Sequence, residues 1–529
     1  MSRLAHGVLM TGFVGTEVPA WLAEALADGL GAVCLFAGNT PDAETTRELT
    51  ARLRAAHDQA AARAGAEADS AGGLVVAVDE EGGDVTRLQA VHGSSLPGAF
   101  ALGVVDDPEL TWRCGRMLGE LLAQVGVDLD LAPCVDVAAE PFNPVIGTRA
   151  FGGEPEVVVR QASAFAAGLA AAGVASCAKH YPGHGDTRVD SHLALPVLDV
   201  DEELLERRDL APFRALLTPD GQGRSIVDAV MVGHLVFPGR GPDAASLSPW
   251  AVRSIREWGF AGPVVTDSLG MRALGDRMSL GEACVRALVA GADLLCLDAP
   301  HHRDPEVAFA EAVGAIDEAL AAGRVDPAAL AASAARNASL VRRSRGLGWP
   351  SDGISDEVAV DGGARVASEV WQITEEAVRV VGSEAARQAL RCSGDVALTG
   401  PPLLIDVRRR VDMAADRLTC PFAEAFRRTW VATDVLIPLD VAEVEAALDV
   451  APVGHHVVVL TGRACADPVE GDLLKSVLAA RPDGVVVHTG VSGAAPAPPR
   501  LVCSFGSGAA NAVAVVEVLA AGGTGGGGA

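Results

Sequence analysis

Short β-rich apolar runs alternate with amphipathic stretches through the first two-thirds of the chain. The runs are Gly7–Thr11, Ala32–Phe36, Leu74–Asp79, Val127–Ala132, Ala175–His180, Ala229–Leu235, Pro263–Thr266 and Ala292–Leu297. Between them lie Ala-, Leu- and Arg-rich segments that predict helices, among them Trp21–Gly29, Pro108–Val125, Pro155–Ala172, Asp201–Leu217 and Pro249–Trp258. Strand–helix alternation implies parallel strands joined by right-handed crossovers. Eight such units fit a (β/α)8 TIM-like barrel better than an open doubly wound sheet, which period counting alone leaves as the alternative.

The pattern changes after the helical stretch Pro327–Arg345. Gly346–Gly353, with the sequence GLGWPSDG, has the Gly, Pro and Ser content of an interdomain linker. A second α/β pattern follows, with runs at Leu403–Asp406, Val435–Pro438, His456–Thr461, Gly484–Thr489 and Leu501–Phe505. It predicts a smaller αβα sandwich around a parallel sheet. The expected division is a barrel over 1–345, a linker over 346–364, a sandwich over 365–520 and a flexible Gly-rich tail over 521–529. GSGAAN (Gly506–Asn511) lacks the spacing and lysine of a phosphate-binding loop, so it reads as a strand-to-helix turn.

A length of 529 residues agrees with more than one core. The 42 basic residues stand against 69 acidic ones, a net charge of −27, which argues against nucleic acid or an anionic membrane as partner. No window reaches the ~18 uncharged apolar residues a membrane span needs. The first residues carry neither a basic lead-in nor a small-residue cleavage site, so no leader is expected. Ten cysteines lie without paired spacing, most in apolar stretches. That pattern predicts buried thiols in a reducing compartment, and the cytoplasm is the expected location.

Polar residues gather where predicted strands end, which in such a barrel is where chemistry is done. The third strand runs into VDEEGGDVTRL, the fourth into LAPCVDV and GTRAF, the fifth into KHYPGHGDTRVDSH, the sixth into MVGHLVFP and the seventh into VVTDSLGM. The loop after the fifth is the densest. His180 and His184 have the spacing of a helical zinc pair, but Pro182, Gly183 and Gly185 oppose a helix and the H-E-x-x-H glutamate is missing, so no metal is expected. His184 and Asp186, set among glycines, read as residues that shape the loop. Asp190 and His192, two apart in extended backbone, point to one side, so the carboxylate can fix the imidazole tautomer for proton transfer near neutral pH. Asp267 ends an apolar strand and reads either as a nucleophile or cation stabiliser, or as a helix N-cap.

Lined up, these strings resemble glycoside hydrolase family 3, in the branch of β-N-acetylglucosaminidases that act on cell-wall fragments. The matching motifs run in family order across about residues 7–345, and KHYPGHGDTxxDSH separates this branch from the family's glucosidases and xylosidases. The resemblance implies Asp267 as the nucleophile, His192 as the acid/base and Asp190 as its dyad partner. It implies Asp79, Arg149, Lys179 and His180 as residues that hold the hydroxyls and N-acetyl group of the terminal sugar, with Arg87 and His234 near that pocket. The implied activity is a retaining exo-β-N-acetylglucosaminidase acting on muropeptide fragments, with no metal or organic cofactor and a small carbohydrate as its partner. A phosphorylase using the same covalent intermediate is the closest alternative, and a sugar-binding protein on the same scaffold is the non-enzymatic one. Aspartate at 84 stands where the family usually has arginine, which puts a reversed charge beside the sugar subsite. Seven Trp, one Tyr and thirteen Phe leave few stacking platforms, which favours a short substrate.

Overall fold

The computed structural model describes residues 3–63, 73–191, 193–344, 375–408, 420–451 and 455–521. His192, the 346–364 linker and all but the first residue of the 521–529 tail lie outside the described residues.

Eight parallel strands form the first sheet: β1 (Leu9–Thr11), β2 (Ala32–Leu35), β3 (Val75–Val78), β4 (Leu129–Asp130), β5 (Ala175–Tyr181), β6 (Ala229–Val232), β7 (Val264–Thr266) and β8 (Leu295–Cys296). Each of the eight predicted runs holds one of them. Neighbours follow chain order from β1 to β7, β8 pairs with β1, and a bridge from Val265 to Leu294 brings the two ends together. The result is a barrel rather than an open sheet.

Its core follows from side-chain alternation. Met10, Ala32, Cys34, Val75, Ala77, Leu129, Leu131, Ala175, Cys177, Ala229, Met231, Val265 and Leu294 fill the barrel interior. Their neighbours Val33, Val76, Val78, Ala178, Val230 and Val264 pack outward on the helices. Both faces are buried, so the strands read as continuous apolar runs. The helix Pro327–Ser344 adds Leu340 and Val341 to the interior cluster, so it packs against the barrel core. Several helices start on Asp-Pro: Asp107, Asp304 and Asp467 each accept backbone N–H groups of the first turn while proline occupies the first helical position.

The stretch Asp201–Leu217 departs from the single helix its pattern predicts. It consists of a short turn, Glu202–Leu204, a π-helical turn, Leu205–Asp209, and a helix, Leu210–Leu217. The π turn seats Asp209, whose buried carboxylate pairs with Arg208.

The second region holds β9 (Arg391–Ser393), β10 (Pro402–Asp406), β11 (Asp434–Leu436), β12 (His456–Thr461), β13 (Val485–His488) and β14 (Leu501–Cys503), in the order β11-β10-β12-β13-β14-β9. The sheet is not wholly parallel as expected: β9 runs antiparallel to β14 along the edge. Its three residues are all exposed, so it carries no apolar pattern to announce it. Val458, Leu460, Val485 and Val487 pack on Phe422, Phe426 and Val515 on one face. On the other, Val457, Val459 and Val486 pack on Val444, Leu473 and Val477, which makes an αβα sandwich.

The two regions meet closely. Phe100 of the barrel lies 5.8 Å, ring to ring, from Phe505 of the sandwich, and Ala510 donates its backbone N–H to Ser94 O at 3.2 Å. Among the described residues no helix is long and apolar enough to cross a membrane.

Candidate active site

Interior alternation carries past the strand ends and builds the site. Val75 and Ala77 face the barrel axis, so Asp79 and Glu81 follow on the same side; Ala175 and Cys177 are followed by Lys179, and Val265 by Asp267. Cys34, Phe36, Leu131, Met231 and Cys296 share that parity, and together with Asp79, Glu81, Lys179 and Asp267 they line one pocket at the carboxyl end of the barrel. Arg87, Arg149, His180, His184, Ser191, Ser268, Met271, His301 and His302 complete its wall.

A charged network occupies one side. Lys179 Nζ lies 2.7 Å from Asp79 Oδ1 and 2.6 Å from Glu81 Oε1. Arg149 grips Glu81 through Nε at 3.0 Å and Nη2 at 2.7 Å, and Arg87 Nη2 stands 4.0 Å from Asp79 Oδ2. Burial alone would push both carboxyls up; the cations outweigh it and hold Asp79 and Glu81 below the usual carboxylate range. Burial likewise pulls Lys179 down, and the two carboxylates more than restore it. The neighbouring Glu80 has opposite parity and faces away from the pocket. Its Oε2 accepts the backbone N–H of Arg87 at 2.7 Å and of Leu88 at 2.9 Å, which fixes the loop that carries Arg87.

A second anchor holds the loop after β5. Asp136 is fully buried and accepts from His180 Nδ1 at 2.7 Å, from the backbone N–H of His184 at 2.6 Å and from Cys134 Sγ at 3.1 Å. These contacts put the ring proton on Nδ1 and turn Nε2 toward Arg149 Nη2, 3.3 Å away. Cys134, Asp136 and His180 bring three potential metal donors within 4.8 Å of one another. The carboxylate's acceptor capacity is taken by hydrogen bonds, and burial pushes the Cys134 thiol up, so the group fits its role as an anchor for His180. The Lys179–His180 and Tyr181–Pro182 peptides are both cis.

His184 bonds Thr187 Oγ1 through Nδ1 at 2.7 Å and Ser191 Oγ through Nε2 at 3.1 Å, while Asp186 pairs with Arg208. Both residues thus tie the loop to itself and to its neighbour, and His184 also reaches the pocket wall. Burial drives the His184 imidazole down to about 4. A side chain at Gly185 would run into Val137 O, at 1.8 Å, so only glycine lets the loop pass. Asp190 is buried, and its carbonyl accepts from the N–H groups of Leu193 and Ala194.

Asp267 sits across the pocket from the charged network, its backbone N–H on Val232 O at 3.0 Å and its Oδ1 accepting from Ser268 N at 2.8 Å. The following helix begins only at Arg272, with Met271 as its cap residue, so Asp267 is not a helix N-cap. His234 does not line the pocket. Its buried ring spans Ser246 Oγ and the carbonyl of Ser268, both at 2.7 Å, and supports the wall beside Asp267.

Aspartate 84 does not line the pocket either, contrary to the charge reversal expected beside the sugar subsite. Its carboxylate takes Thr148 Oγ1 at 2.7 Å on one oxygen, and the N–H and hydroxyl of Ser507 at 2.8 and 2.7 Å on the other. Glu81, Asp136 and the His301–His302 pair were not singled out from the sequence. Glu81 was within reach through the period-two extension of β3, and the histidines through the polar end of β8, GADLLCLDAPHH. Asp136 carries little local signal, because apart from Cys134 its partners, His180 and the backbone of His184, lie on another loop.

Residues 13–340 match the family described as "Glycosyl hydrolase family 3 N terminal domain". The chain is 38% identical over 286 residues to the beta-hexosaminidase LpqI of Mycobacterium tuberculosis, covering 52% of this chain and 70% of that protein. It is 36% identical over 279 residues to a beta-hexosaminidase of Pseudomonas aeruginosa, covering 51% and 76%. Among solved structures, a glycoside hydrolase family 3 beta-N-acetylglucosaminidase from Paenibacillus sp. superposes with a TM-score of 0.81 at 27% identity, over 98% of this chain and 96% of that one. A beta-glucoside phosphorylase superposes with a TM-score of 0.71 at 17% identity, over 98% and 91%, and shares the fold.

Proposed function

The chain belongs to glycosyl hydrolase family 3 and is a glycoside hydrolase, and from that premise we propose that it is a retaining exo-β-N-acetylglucosaminidase. The observation that carries this reading is one pocket lined by Asp267 together with half-buried Asp79 and buried Arg87, Arg149, Lys179 and His180, a set of charged and imidazole groups able to hold sugar hydroxyls. The names of its relatives, beta-hexosaminidases over the barrel and a beta-N-acetylglucosaminidase over the whole chain, support the same substrate class.

In the proposed reaction Asp267 attacks the anomeric carbon of the terminal N-acetylglucosamine. His192 gives its proton to the departing glycosidic oxygen. A covalent glycosyl-enzyme forms through an oxocarbenium-like transition state, which the Asp267 carboxylate stabilises. His192 then takes a proton from water as it attacks, Asp267 leaves, and the sugar departs with its configuration retained. Asp190 holds the imidazole in the tautomer this requires. The neighbours of His192 in the chain support its role: Ser191 lines the pocket and Asp190 is buried. Lys179, Arg149 and Arg87 donate to the sugar hydroxyls, and Asp79 accepts from them. Muropeptide fragments are the proposed natural substrates. A cytoplasmic location belongs to the same proposal and rests on the ten free thiols. So does the division into a barrel ending near residue 345 and a sandwich beginning near residue 365.

Product analysis with 4-nitrophenyl N-acetyl-β-D-glucosaminide, with and without millimolar phosphate, tests the reading. Free N-acetylglucosamine released at a phosphate-independent rate is the expected result. N-acetylglucosamine 1-phosphate with faster nitrophenol release would make the protein a phosphorylase. No release under either condition would favour a sugar-binding protein.

A further inference from the structure

The relatives named beta-hexosaminidases align with 286 and 279 residues, about half of this chain, whereas here a whole second domain reaches the barrel's pocket loops. The turn Gly506–Ser507–Gly508, which leads into the helix Ala509–Ala520, lies against the barrel loop that follows β3. A side chain at Gly508 would stand 3.0 Å from Gly83 O, so glycine permits the two backbones to approach this closely. Buried Ser507 then offers both its N–H and its hydroxyl to one oxygen of Asp84.

The other Asp84 oxygen accepts from Thr148, which immediately precedes Arg149 in the single turn Gly147–Arg149. Arg149 holds Glu81, Glu81 holds Lys179, and Lys179 holds Asp79. Asp84 itself lies three residues after Glu81 on the same loop. The sandwich is therefore joined, through one carboxylate, to both loops that position the charged network. The sandwich residue Arg408 also lies near enough for Asp84 to act on its charge.

We propose that Ser507 and Asp84 form a positioning relay through which the second domain sets the geometry of Glu81, Arg149 and Lys179, and with it the affinity for the terminal sugar. Asp84 and Ser507 touch no substrate in this scheme; they act through Thr148 and Arg149. The substrate part of the proposal rests on the sugar-binding reading given above. It accounts for the aspartate at 84: an arginine there could not accept hydrogen bonds from Ser507 and Thr148.

The test uses the full-length chain and its Ser507→Ala, Asp84→Ala, Thr148→Val and Thr148→Ser variants. Hydrogen exchange comes first because it needs no substrate. Residues 80–88 and 145–151 should exchange faster in Ser507→Ala and Asp84→Ala, while the strands β4 to β7 keep their protection. Kinetics on the nitrophenyl glycoside come second. Losing a charge-assisted hydrogen bond in the relay should raise KM by roughly 3- to 10-fold with kcat within about twofold. Ser507→Ala combined with Thr148→Val should be no worse than the larger single effect, since both break one chain. Thr148→Ser should restore wild-type KM. Unchanged exchange in both barrel segments overturns the relay, as does a fall in kcat at constant KM, or damage from Thr148→Ser equal to that from Thr148→Val. Ser507→Ala, which keeps the backbone N–H bond, stays informative if Asp84→Ala fails to fold. A wild-type enzyme that cleaves no N-acetyl-β-glucosaminide refutes the sugar reading alone, and the exchange data then decide the relay.

Discussion

The chain has two lysines, one in each domain, and they lead opposite lives. Lys179 in the barrel has a side chain 2% exposed, held between two carboxylates at the pocket floor. Lys475 in the sandwich is 79% exposed and pairs with Asp472 in solvent. The same contrast runs through the polar strand ends. In the barrel, Asp79, Lys179 and Asp267 extend the interior-facing parity into an open cavity. In the sandwich the groups at the strand ends are satisfied locally, in one case by Glu470 on the helix Pro468–Ala480. Glu470 accepts from Thr461 Oγ1 and from the N–H groups of Gly462 and Arg463, Asp406 pairs with Arg408, and His488 bonds the Val491 carbonyl. Polar residues at the carboxyl ends of parallel strands are thus common to both sheets. Only closure into a barrel turns several of them toward one space, where buried charge can serve a substrate rather than the backbone.

The sharpest way to break this comparison is to remove the group assigned to chemistry. Asp267→Ala should lower kcat by on the order of 10³-fold or more while sugar binding persists in calorimetry, and retained turnover would refute the nucleophile assignment. Lys179→Met should leave buried Glu81 and half-buried Asp79 beside one cation fewer. A destabilisation of about 3–5 kcal/mol in urea unfolding is expected, with sugar affinity lost.

Acid sharpens the comparison next. The His184 imidazole titrates at about 4 in the folded protein and near 6.5 in an unfolded chain. Between those values the unfolded chain takes up the proton that the folded imidazole refuses, so the contribution of His184 to stability falls with pH through that window, by up to about 3 kcal/mol. Asp209, whose carboxyl burial raises to about 6, opposes this fall across the window. Below it the loss continues, because Asp79, Glu81 and Asp136 are held below their ordinary values when folded and must be protonated. Denaturant midpoints measured from pH 7 to pH 4 should fall more steeply in the wild type than in His184→Asn, and the difference between the two proteins is the contribution of the histidine.

In the sandwich the effects should be smaller and confined to stability. Glu470→Gln weakens three local hydrogen bonds, and a loss of about 1–3 kcal/mol with unchanged kcat/KM is expected. A fall in kcat/KM there would mean that the strand ends of the second sheet also serve the reaction. Lys475→Ala should shift neither the denaturation midpoint nor the rate, since exposed pairs contribute little.

Much of this was legible along the chain. Continuous apolar runs marked each barrel strand, and the polar residues at their ends, Asp79, Lys179 and Asp267 among them, marked one rim. Asp-Pro pairs marked helix starts. The antiparallel strand β9 escaped because three exposed residues make no pattern, and the π turn at Leu205–Asp209 escaped because it hides within a helical period. Asp136 and Glu81 went unassigned for another reason: a buried carboxylate is defined by the partners it meets.

Sequence alone thus determined the alternation of strand and helix, favoured a barrel over an open sheet and marked the polar residues gathered at the strand ends, since run length, composition and capping are local properties. The folded chain alone decided which polar ends share a cavity, and where Asp84 spends its charge. Its partner Ser507 lies 423 residues away, and no local pattern encodes a hydrogen bond that exists only after two domains have packed together.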